Sequence, residues 1–406
     1  MEMLTGTRIV SFNHFLLGPV GIQYLADLGA DVIAVEPLDG AFQRKWSGGG
    51  QFVDGQSMLL LTGNRNKRSL AVDLKHPDGL EIARKLCAKA DVVAENFRPG
   101  VMDKIGLGYE AVRRANPRVI YAAASGYGAD GPYAERPGQD LLAQALSGLA
   151  AITGSVAHGP RAVGVSAADH HGAALLAMGI LAALVRRGQS GQGCRVDVNL
   201  LSAALDLQAE SLTCYLNGPQ PREVRQPEHV AGWYFAAPYG LYATRDGWLA
   251  ISLGSLKALG EALGDPALAS TPEEQAMPRR EAIAQQVAAL MAQKTTAEWE
   301  AVLARHGIWH ARVNDYDAVR ADPQVRHNGS FATVTGATGT DVTLVTHPVR
   351  YDGQAPGVRF PPQLLGAQTA EILSELGYDP DQIVRLEKAG AIRTAPSAPQ
   401  SSRRPG

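Results

Sequence analysis

Cysteine is nearly missing from this 406-residue chain; only Cys87, Cys194 and Cys214 occur. They lie far apart and match no zinc spacing, which argues against a disulfide framework or a structural zinc. Buried, reduced thiols in a cytoplasmic protein are the expectation. An excess of one charge is missing too. Lys and Arg total 38 against 40 Asp and Glu, a formal charge of −2. A dedicated nucleic-acid binder normally shows a basic excess, so the balance leaves room only for a local basic pocket around a small anion. The sequence shows no run of about 18 apolar residues, and no spanning helix or membrane partner is expected. The first residues, Met1-Glu2-Met3-Leu4-Thr5-Gly6, lack the basic and apolar regions of a signal peptide. Two nucleotide fingerprints are also missing. The loop after the first predicted strand reads Asn13-His14-Phe15-Leu16-Leu17-Gly18-Pro19, without G-x-G-x-x-G, which disfavours a nicotinamide enzyme. No G-x-x-x-x-G-K-[ST] loop occurs.

What the chain has is apolar mass. Hydrophobic residues make up 45% and charged ones 19%, enough for a large core and against global disorder. Over the first 200 residues, short strands alternate with helices. Strands are predicted at 8–12, 31–35, 91–94 and 119–123, with helices at 18–28, 78–90 and 109–115. The 31–35 run is almost wholly apolar, as a strand covered on both faces requires. This rhythm predicts an α/β fold with a Rossmann-like open parallel sheet. Ala- and Leu-rich helical patterns follow at 140–151 and 168–187, and another helix runs to Asn217. The stretch from Gly218 to Pro227 marks a domain boundary. Beyond it, a hairpin turning at Arg245-Asp246-Gly247 and helices at 256–263, 279–293 and 297–306 predict a smaller α+β unit. From Val313 to Arg350 the chain reads as Gly-rich and strand-like. A tail over 394–406 is expected to be disordered.

Several loops carry chemistry. Asn64-Arg65-Asn66-Lys67-Arg68-Ser69 puts three cations in six residues before a strand, either a solvated loop or a phosphate clamp. Glu95-Asn96-Phe97-Arg98-Pro99-Gly100 and Ser125-Gly126-Tyr127-Gly128 each follow a strand, where ligands of open α/β sheets gather. Asp169 opens an Ala-rich helix. It reads either as a cap for free backbone amides or as a carboxylate nucleophile that divides an acyl exchange into two easier steps. Helix-start amides are expected to keep it ionised at neutral pH. His170 and His171 follow it, pointing in different directions.

Together with Leu25-Ala26-Asp27-Leu28-Gly29-Ala30-Asp31, Asp73-Leu74-Lys75, Gln144-Ala145-Leu146-Ser147-Gly148 and Gly191-Gln192-Gly193-Cys194-Arg195-Val196-Asp197, these loops resemble the class III CoA-transferase (CaiB/BaiF) family over about residues 4–380. The resemblance implies an interlocked homodimer. It implies a large CoA-binding domain at 1–222 and 327–393 and a small domain at 223–326. It implies an acyl-CoA donor and a small organic acid acceptor, CoA being substrate and no metal or tightly bound cofactor being needed. Asp169 falls at the position of the catalytic carboxylate, which forms an aspartyl acyl anhydride and then an aspartyl-CoA thioester. His14, Leu74, Lys75, Asn96, Phe97, Arg98, Lys104 and Arg136 fall on the family's CoA-contacting stretches. Gln139 stands where racemases of the superfamily place a catalytic His, which weakens the alternative of a 2-methylacyl-CoA racemase. Gln139, Trp233 and Tyr234 are the expected acid-binding positions. The stretch 227–234 replaces a polyglycine lid known in formyl-CoA–oxalate transferases.

Overall fold

A computed structural model of the protein describes residues 2–53 and 55–395. The predicted tail lies almost entirely outside the described residues. The chain divides into two compact units. One comprises the described residues of Met1–Asp140, Ala167–Ala203 and His327–Gly406; the other is Leu141–Ser166 with Ala204–Arg326. Residues 141–166 and 204–222, assigned to the large domain from the sequence, group with the second unit.

The first unit is built on strands β1 (Arg8–Phe12), β2 (Asp31–Glu36), β5 (Lys67–Val72), β6 (Val92–Glu95), β7 (Ile120–Ser125), β8 (Cys194–Asn199) and β14 (Ile392–Arg393), with β3 (Phe52–Val53) and β4 (Gln56–Ser57) forming a separate short hairpin. The large sheet runs β14-β5-β2-β1-β6-β7-β8. All its pairings are parallel except that of β14 with β5. Ile9, Val10, Ile33, Val92 and Val93 are fully buried in its centre, as parallel strands covered on both faces should be. The order reverses direction between β1 and β6, in register at Phe12↔Glu95. Such a switch point opens a crevice at the strands' carboxyl ends, where open α/β sheets bind ligands.

Two helices fix that edge. The helix Leu17–Asp27 packs against the helix Ala167–Ser190. Small residues let them approach: a Cβ on Gly21 would stand 2.8 Å from the Ala173 carbonyl oxygen, and one on Gly172 would stand 2.7 Å from Leu17 Cδ1. The 24-residue helix Ala167–Ser190 is long and apolar enough to cross a membrane by length and composition alone. In the fold it packs on the Leu17 helix and on β7 and β8.

The basic cluster is internal, which corrects the phosphate-clamp reading. Arg65 forks onto Asp27 at 2.7–3.2 Å and donates to the Val345 carbonyl at 2.6 Å. Lys67 Nζ donates to the carbonyls of Pro19 and Gly63 at 2.7 and 2.6 Å, and burial pushes its amine down to about 7 against the pull of Asp27 and Glu36. Arg68 joins Asp31, Glu371 and Glu375. The three cations tie β5 to its neighbours.

In the second unit β9 (Gly240–Ala243), β10 (Trp248–Ile251) and β11 (His310–Arg312) form an antiparallel sheet, ordered β11-β10-β9. Trp299, Tyr242 and Leu249 anchor its core. Between Val313 and Arg350 the strand-like expectation holds only for the hairpin β12 (Phe331–Thr335) and β13 (Asp341–Val345). The helices Tyr316–Ala321 and Pro323–His327 precede it. Asp315 caps the first by accepting the Ala318 N–H at 2.8 Å, and Asp322 accepts from Gln324 and Val325 at 2.8 and 3.0 Å. Capping aspartates start helices where glycine counting predicts strands.

Candidate active site

At the switch point the loops after β1 and β6 are sewn together by one side chain. Asn96 accepts the His14 backbone N–H at 2.8 Å and donates to the His14 carbonyl at 2.7 Å. The amide thus continues the strand pairing one residue beyond the sheet. The ring of Phe97 then meets His14 edge-on, centroids 5.1 Å apart, and His14 meets Phe15 the same way at 4.8 Å. Burial lowers the pKa of His14 and favours its neutral form. Phe15 adopts φ +57°, a left-handed conformation that disfavours a bulky side chain.

Asp169 is the third residue of its helix and is half-buried. The Leu17 backbone N–H donates to its carboxylate. Its own N–H is taken by Asp140 Oδ1 at 3.0 Å. Burial, then the Asp140 carboxylate, push its carboxyl up to about 7, and the single Leu17 amide does not offset them. This reverses the expectation that helix-start amides keep it ionised. His170 is held below its usual range by burial, with Asp140 pulling the other way. Asp140 is placed by a backbone crossing: a Cβ on Gly138 would lie 2.4 Å from Gly126 Cα, so neither chain tolerates a side chain there.

The remaining sequence-predicted residues fall in three groups. Leu74 and Phe97 are half-buried and pack on the same core beneath the sheet edge. Lys75, Arg98, Lys104 and Arg136 are exposed, with no ion-pair partner found among the described residues; Arg136 lies over the Tyr133 ring at 3.9 Å. Gln139 is exposed beside Asp140. Trp233 and Tyr234 belong to the second unit and line a cavity of about 1000 Å³ there. Trp233 is buried, with its indole N–H donated to Ser211 Oγ at 2.8 Å, and the Tyr234 hydroxyl reaches Glu210 at 3.4 Å.

Sequence reading missed Asp140, the Leu17 amide and Glu95 as parts of this corner. Glu95 accepts the Phe97 N–H at 2.8 Å. The only signal for Asp140 was its place after Gln139; the Leu17 amide had none.

Comparison with known proteins agrees with the fold and the loops. The profile of CoA-transferase family III matches residues 4–369. Succinyl-CoA:glutarate CoA-transferase of Mus musculus is 34% identical over 402 residues, covering 97% of this chain and 91% of the relative. Succinyl-CoA–D-citramalate CoA-transferase of Chloroflexus aurantiacus is 30% identical, covering 96% and 98%. The crystal structure of a CaiB/BaiF family protein from Brucella suis superposes with a TM-score of 0.79 at 31% identity, covering 92% of this chain and 99% of that one. The chain belongs to CoA-transferase family III, and it is a CoA-transferase.

Proposed function

We propose that the enzyme moves CoA from an acyl-CoA donor to a carboxylic acid, with Asp169 as the nucleophile. An Asp169 oxygen attacks the thioester carbonyl, the carbon–sulfur bond breaks and CoA thiolate leaves an aspartyl acyl anhydride. The thiolate attacks the aspartyl carbonyl, releasing the donor acid and leaving an aspartyl-CoA thioester. The acceptor carboxylate attacks that thioester, forming a second anhydride and freeing the thiolate again. Attack of the thiolate on the acceptor's carbonyl gives the new acyl-CoA and restores the Asp169 carboxylate. Each step exchanges one acyl bond for another, and no outside oxidant or proton donor is needed.

The observation that carries this reading is the carboxylate's setting: beside the β1 loop at the switch point, held by one backbone amide and paired with no cation among the described residues. A carboxylate neutralised by an arginine would be a poor nucleophile. The Leu17 N–H is placed to orient it and to stabilise charge developing on the oxygen during attack. His14, Asn96, Phe97 and Leu74 make an apolar and hydrogen-bonding floor for the CoA moiety. Lys75, Arg98, Lys104 and Arg136 supply cations for its phosphates. By analogy with the relatives, a succinyl-CoA donor and a small dicarboxylic acceptor are the first pair to test, with Gln139 beside Asp140 as an acceptor-side position. An interlocked homodimer in the cytoplasm completes the proposal.

The test is chemical. Protein mixed with acyl-CoA and quenched with hydroxylamine or borohydride should carry a modification on Asp169 visible by mass spectrometry. Asp169→Ala should lose transfer activity on the order of 10⁴-fold. An Asp169→Ala protein with full activity ends the proposal. Solvent deuterium at C2 of the acyl group, without any acceptor acid, would replace it with the isomerase reading.

A further inference from the structure

Glu95 stands at the last position of β6, paired in register with Phe12 of β1. Its Oε2 accepts the Phe97 backbone N–H at 2.8 Å, which turns the chain sharply after the strand. Between them lies Asn96, with both ends of its amide engaged by His14. The Phe97 ring closes this tripeptide against the His14 imidazole. One carboxylate therefore fixes the loop that brings these two rings together. Glu95 makes no contact with the Asp169 carboxylate among the described interactions, so its influence is exerted through Phe97 and His14.

We propose that Glu95 is a positioning residue for CoA: its ionised carboxylate holds the Phe97 turn, and protonation loosens the His14–Phe97 floor and weakens CoA binding. The inference rests on the CoA site proposed above. Charge-assisted hydrogen bonds are roughly twice as strong as neutral ones, so the Phe97 amide is held well only by the carboxylate form. The surroundings place the change at working pH. Burial raises the Glu95 carboxyl to about 7; the Phe97 N–H and the Arg195 guanidinium lower it, and the carboxylates of Asp103 and Asp197 raise it. Tyr121 on β7, itself raised by burial, is the other titratable group against it. A raised carboxyl is protonated below that value, so CoA affinity falls as pH drops through about 7.

The experiment measures the Kd for CoA from pH 6 to 8 in Asp169→Ala protein, which removes the other carboxylate titrating there. Adding Glu95→Gln keeps an oxygen to accept the Phe97 N–H but removes the titration. It should bind within about threefold of its parent at pH 6 and show a flatter pH dependence, the CoA phosphates titrating equally in both. Glu95→Ala in wild-type protein should raise KM for acyl-CoA roughly tenfold with kcat little changed, and Glu95→Gln should bring it back only to the value the natural protein shows at pH 6. Identical pH dependence in Glu95→Gln and its parent, or an unaltered KM in Glu95→Ala, overturns the inference alone. CoA that fails to bind the unsubstituted protein at any pH overturns the proposed site and this inference with it.

Discussion

The basic cluster at 64–69 and the corner at the β1–β6 switch point are both rich in polar groups, yet they resolve them in opposite ways. In the cluster every charge finds its opposite or a set of carbonyls: Arg65 meets Asp27, Lys67 meets two carbonyl oxygens, Arg68 meets three carboxylates. In the corner Asp169 meets one amide and a like charge, and Glu95 one amide, the more distant Arg195 guanidinium and two more carboxylates. A satisfied network holds the fold and has no reactivity left over. A carboxylate raised to about 7 is less stable in its ionised form and retains a lone pair for chemistry.

Three substitutions test the contrast. Arg65→Ala leaves Asp27 buried without its counterion, and should lower unfolding free energy by roughly 3–5 kcal/mol, read by denaturant titration. A loss under about 1 kcal/mol, the range of an exposed pair, would erase the distinction between the two regions. Asp140→Asn keeps an oxygen for the Asp169 N–H but removes the like charge. Asp169 is reactive only when ionised, so kcat/KM should rise with pH through about 7 in the natural protein. The substitution should move that inflection to lower pH by about one unit; an unmoved inflection assigns the whole shift to burial. Lys75→Ala removes an exposed cation and should raise KM for acyl-CoA only about two- to fivefold, an effect that salt diminishes. A much larger change would mean that the ligand desolvates Lys75 and pairs with it as closely as Asp27 pairs with Arg65.

Strands β1, β2, β6 and β7 were legible because each is a short, mostly apolar run between helix signals, whereas the charges in β5 and β8 masked theirs. The direction of the 64–69 charges was not. Asp27 lies 38 residues from Arg65, and Glu371 lies 303 from Arg68, so nothing local distinguishes a solvated cation from a buried one. The loops after β6 and β7 were found as ligand-bearing edges, while the link from the β6 loop to the β1 loop was hidden in an asparagine 82 positions away from His14. The helix start at Asp169 was recognised, but burial of the carboxylate, and then the Asp140 carboxylate that engages its amide, invert the electrostatic expectation.

The antiparallel pairing of β14 with β5, at Ile392↔Val72 and Arg393↔Ala71, has a consequence for biosynthesis. The β5 flank of the main sheet stays open until translation reaches Ile392, long after its partner Val72 has been made. Until then a nascent chain must protect an exposed β-edge, and a product ending before Ile392 would release that edge for pairing with other copies.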